Sequence, residues 1–88
     1  MRSGQYIFSE HALIQIRKRK LDIQFIENTL ESPDTIFSND PEVTVYQKVG
    51  TERNKSYLYR VFVNIQKRPK VIITVYKTSK IEKYENKV

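Results

Sequence analysis

Two hydrophobic periods divide the 88-residue chain. As far as Ser32 the apolar residues recur at helical spacing, and beyond Pro33 they alternate with polar ones, which predicts helices followed by strands. The first helix is expected over residues 9–20. Ser9 offers an N-cap oxygen to a first-turn N–H, Ala12, Leu13 and Ile16 follow helical spacing, and Arg17-Lys18-Arg19-Lys20 places cations where the helix dipole favours them. A second helix is expected over residues 22–32, capped by Asp22, with Ile23, Ile26 and Leu30 on one face. It ends before Pro33, which cannot donate into the helical ladder and drives Ser32 out of the α region.

Alternation then predicts strands at about residues 34–38, 43–49, 56–65 and 70–77, with a tail at 78–88. The turn Asn39-Asp40-Pro41, the polar loop Gly50 to Lys55 and the turn Gln66-Lys67-Arg68-Pro69 are short enough for antiparallel hairpins rather than crossovers. The longest strand carries Tyr57, Tyr59, Val61, Val63 and Ile65 on one side and Leu58, Arg60, Phe62 and Asn64 on the other. The expected fold class is α+β, one domain over 1–88, with two N-terminal helices packed on one face of a four-stranded antiparallel sheet. Because both helices precede the sheet, they cover one face and leave the other as the candidate site.

Composition narrows the chemistry. The absence of cysteine removes disulfides and thiolate nucleophiles, and a single histidine, His11, argues against a metal site. No cofactor is expected. No apolar run approaches the roughly 20 residues of a membrane span, and the N-terminus lacks the apolar centre of a secretory signal, so a cytoplasmic location is expected. The net charge of +6 is unevenly spread. Residues 1–44 hold five Lys/Arg against seven Asp/Glu, whereas residues 45–88 hold eleven against three. A basic half suits a polyanion such as RNA, since each neutralised phosphate releases counterions; simple solubility is the competing reading.

The pattern of His-Ala-Leu, a basic two-turn helix, a second helix ending Glu-Ser-Pro-Asp, then Tyr-x-Lys, a strand arginine and a strand ending Thr-Val-Tyr spans about residues 6–84. It resembles small bacterial and phage domains grouped with the barnase, EndoU, colicin and RelE fold, whose better-known members are ribonucleases and mRNA-cleaving toxins. By that resemblance His11 matches the helix-one histidine, Arg19 a basic position two turns later, and Lys48 a basic position on the second strand. Arg60 matches the strand-three arginine, and Thr74 with Tyr76 the strand-four ending, which Lys77 and Lys80 extend with charge. Gln15 stands where relatives often carry arginine. The resemblance implies a RelE-like fold, RNA as partner and a cognate antitoxin protein as inhibitor; it leaves open whether the chain is a monomer or a homodimer.

The expected activity is metal-independent endoribonuclease cleavage by attack of the ribose 2′-hydroxyl. In that reading His11 acts as base or acid, because imidazole titrates near neutrality. Arg60 stabilises charge on phosphate, Thr74 hydrogen-bonds it, and Tyr76 orients a base or shares the proton transfer. Arg17, Arg19, Lys48, Lys77 and Lys80 hold the flanking backbone. Each has a plainer role: His11 packing beside Phe8, Arg60 pairing with a carboxylate such as Glu27, Thr74 and Tyr76 serving as ordinary strand residues. Tyr57 and Tyr59 either stack bases, as in a non-catalytic nucleic-acid-binding module, or lie under the helices. A protein-binding module, or a sheet that pairs with a second copy, is a further alternative. The catalytic reading requires His11, Arg60 and Tyr76 to meet around one phosphate-sized hollow.

Overall fold

The computed structural model describes residues 6–38 and 40–82. Its elements run β1 (Tyr6–Phe8), α1 (Glu10–Arg19), α2 (Ile23–Glu31), β2 (Thr35–Ser38), β3 (Val43–Glu52), β4 (Lys55–Asn64) and β5 (Lys70–Thr78). The strands form one sheet in the order β1-β5-β4-β3-β2.

Both predicted caps form. The Ser9 hydroxyl accepts from the Ala12 N–H at 3.0 Å, and the Asp22 carboxylate accepts from Gln24 and Phe25, so each helix begins where its first unpaired N–H groups find a side-chain oxygen. Helix α1 ends in a Schellman turn. Lys20 adopts the left-handed region at φ 53°, its N–H bonds Arg17 C=O, and the Leu21 N–H reaches back to Ile16 C=O at 2.9 Å. Leu21 and Ile16 are both buried in the core, the apolar contact that accompanies this cap.

The sheet corrects the sequence expectation: it has five strands and is mixed, because β1 joins it parallel to β5, with Phe8 opposite Ile72. Three residues are too few to display an alternating period, and Phe8 reads equally well as the lead-in to α1. A second correction concerns residues 50–55. The strands continue to Glu52 and resume at Lys55, leaving Arg53 and Asn54 at φ 53° and 66° as a two-residue hairpin, the double positive-φ geometry that matches strand twist. Of the predicted Asn39-Asp40-Pro41 turn, Asn39 lies outside the described residues, as do residues 83–88 of the predicted tail. The Asp40 carboxylate accepts from the N–H groups of Glu42 and Val43.

Helices α1 and α2 close over one sheet face. Ala12, Ile16, Leu21, Ile26 and Leu30 pack against Tyr59, Val61, Val63, Ile72 and Val75, with Phe8, Phe25 and Tyr46 at the margin. Gly50 is required by a close approach, since a Cβ there would meet the Phe25 ring at 2.6 Å. Among the described residues no helix is long and apolar enough to cross a membrane.

Candidate functional site

Strand alternation assigns every side chain to the helix side or the opposite side. Val61 and Val75 face the helices, so their neighbours Arg60 and Tyr76, directly opposed across β4 and β5, face away. Gln47 of β3 pairs with Arg60 on the other flank. Gln47, Arg60 and Tyr76 thus form one row across the helix-free face. The adjacent row is Phe37, Val45, Phe62 and Thr74. An irregularity follows Phe62: Thr74 pairs with Phe62 and Ile72 with Val63, so Ile73 is the extra residue of a bulge.

Arg60 is held in place. Its Nε donates to the Gln47 amide oxygen at 2.7 Å, and its guanidinium carbon lies 5.2 Å from the Phe62 ring centroid and 6.0 Å from that of Phe37. A guanidinium is planar and weakly hydrated, so ring faces and the Nε hydrogen bond help fix its orientation. Gln47 is only 1% exposed and relies on such a bond for burial. Gln47, Phe37 and Phe62 were not anticipated as part of the site. The available signal was a lone amide inside the otherwise apolar set Val43, Val45, Gln47 and Val49.

His11 is exposed in the first turn of α1. That turn is tied to the outer edge of β5: Ser9 N–H donates to Ile72 C=O at 3.0 Å, and the Ser9 hydroxyl donates to the Ile73 carbonyl at 2.8 Å, on the residue before Thr74. The fold therefore gathers Arg60, Thr74 and Tyr76 on the helix-free face, and leaves His11 in the helix layer beside β5. Glu27, the carboxylate considered for Arg60, sits on α2, across the sheet from the guanidinium.

The predicted backbone-holding cations divide into two groups. Arg17 and Arg19 are exposed in the last turn of α1, and Lys80 is exposed after β5. Lys48 instead donates to the Ser32 carbonyl at 2.7 Å, beside Asp34 at 3.9 Å, a cation at the C-terminal end of α2. Lys77 lies 3.0 Å from Glu52 and 4.6 Å from the Tyr57 ring centroid. Burial opposes the charge on Lys77, but the Glu52 hydrogen bond and the nearby Tyr59 outweigh it and raise its pKa.

Tyr59 is not a stacking platform. It is 2% exposed, its ring lies 4.7 Å from Phe25, and its hydroxyl accepts from the Asp22 N–H at 3.4 Å. Burial raises its pKa. Tyr57 is half-buried beside it, against Lys77. Both tyrosines share the helix-side face of Val61 and Val63, and Tyr59 belongs to the buried core there. Among the described residues no three His, Cys, Asp or Glu side chains gather as a metal site.

Residues 8–77 match a family model described as Domain of unknown function (DUF4258). No curated protein and no solved structure gives a significant match.

Proposed function

The chain belongs to the DUF4258 family, and from that premise we propose that it is an endoribonuclease of the RelE-like type that cleaves RNA without a metal. The observation that carries this reading is the Arg60–Tyr76 pair. A guanidinium fixed between two rings stands directly across from a phenol, with Thr74 one pleat along the same face. In the reaction the ribose 2′-oxygen loses its proton and attacks phosphorus, the bond to the 5′-oxygen breaks, and that oxygen takes a proton. The products are a 2′,3′-cyclic phosphate and a 5′-hydroxyl. Arg60 bears the negative charge that builds on the phosphorane, Thr74 donates to a phosphate oxygen, and Tyr76 serves one of the proton transfers. His11 stands in the helix layer, across the sheet from Arg60, so in this reading solvent water serves the other transfer.

Incubation of the protein with single-stranded RNA in EDTA, followed by end-group analysis, tests the reading. Cyclic phosphate ends support it; intact RNA overturns it.

A second reading is favoured by one observation: His11 and Arg60 occupy opposite layers of the fold. In that reading the same face binds RNA without turnover, inside a cell cytoplasm and under the control of a protein partner. It predicts salt-sensitive binding and no cleavage products.

A further inference from the structure

A hollow of about 590 Å³ opens at the hairpin end of the sheet, lined by Lys55, Ser56, Ser79, Lys80, Ile81 and Glu82. Its cations differ from Lys48 and Lys77 of the sheet. Lys48 and Lys77 are paired with Asp34 and Glu52, whereas among the described residues neither Lys55 nor Lys80 forms a salt bridge. Two lysines and two serines line it against one carboxylate, Glu82, so the lining is net positive. Unneutralised lysines and serine hydroxyls are the donors that phosphodiester oxygens accept from.

The hollow also has a fixed relation to the proposed site. Ser56 lies four residues before Arg60 on β4, which at the rise of an extended strand is about 14 Å, and Lys80 follows the end of β5, four residues after Tyr76. We infer that this hollow is a second phosphate subsite, holding the RNA backbone at a phosphodiester away from the one at Arg60. The inference rests on the reading of the helix-free face as an RNA site. It assigns Lys55 and Lys80 to grip, with Ser56 and Ser79 as neutral donors, and it gives the protein a minimum length of RNA for full affinity.

Fluorescence anisotropy with oligouridylates of three and eight nucleotides tests it, on wild type, on Lys55→Ala/Lys80→Ala and on Arg60→Ala, over a salt series. Both lysines are on the surface, and circular dichroism checks that the double variant is folded. The expected result is a roughly tenfold weaker octamer complex for the double variant with an unchanged trimer complex, and a salt slope shallower by about 0.7 for each lost phosphate contact. Equal weakening of both lengths, or none, overturns the subsite. Arg60→Ala weakening both lengths supports the helix-free face as the primary site. If Arg60→Ala binds as wild type while the lysine variant loses octamer, the hollow stands and that primary reading falls.

Discussion

Arg60 and Tyr76 face each other directly across β4 and β5, and the guanidinium is turned by its Nε bond to Gln47, the next residue in the same row. Replacing Arg60 by Ala removes the partner of an amide that is almost fully buried. The expected loss is about 1–3 kcal/mol of stability, read from urea denaturation. Gln47→Met, which removes the amide as well, should recover part of it in the Arg60→Ala background. A double variant no more stable than Arg60→Ala contradicts the role given to this bond.

Lys20 holds a left-handed conformation that only glycine adopts without steric penalty. Lys20→Gly should therefore stabilise the protein by about 0.5–1 kcal/mol, the steric relief being partly offset by the freedom glycine gains when unfolded. Thermal unfolding of the two proteins side by side decides it, and a lower midpoint for the variant is the contrary result.

Gly50 is closed against the ring of Phe25. Gly50→Ala should cost about 1–3 kcal/mol by overpacking. Trimming the obstacle, as in Gly50→Ala/Phe25→Leu, should recover stability relative to the sum of the single changes. Simple additivity would show that the two residues do not compete for the same space.

Burial raises the Tyr59 pKa above its ordinary value of 10.0, and the Glu52 and Tyr59 contacts raise Lys77 above 10.5 against the opposing effect of burial. Both groups bind protons more tightly in the folded state. Their contribution to stability is fully present below those ordinary values and is lost as pH rises through the folded ones. Stability should thus decline on the alkaline side of pH 10, and less steeply in Tyr59→Phe. Denaturation midpoints from pH 8 to 11 measure this; parallel declines for wild type and variant would remove Tyr59 as a source.

Much of the fold was legible because its signals are local. Ser9 and Asp22 announced their caps, Pro33 marked the end of α2, and alternation put Arg60 on the face opposite Val61 and Val63. What escaped depends on distant partners. The strand β1 exists because Tyr6–Phe8 finds the outer edge of β5, more than sixty residues away, and the Ile73 bulge lies in the β4–β5 pairing with its carbonyl bonded by the distant Ser9. The site was legible in the same measure. Arg60, Thr74 and Tyr76 share a face because their strands pair in register, while the position of His11 depends on how α1 lies on the sheet, which periodicity does not encode. Lys48 and Lys77 looked like backbone-holding cations because nothing local shows that Ser32 and Glu52 end up beside them.

The central claim is that the fixed Arg60 guanidinium acts on the phosphate. Its most direct test is the single-turnover cleavage rate of a defined RNA in EDTA, compared between wild type and Arg60→Ala at a temperature where both are folded by circular dichroism. Loss of one stabiliser of transition-state charge should slow cleavage by about a hundredfold or more, with Tyr76→Phe also slowed. Equal rates in wild type and Arg60→Ala would contradict the account.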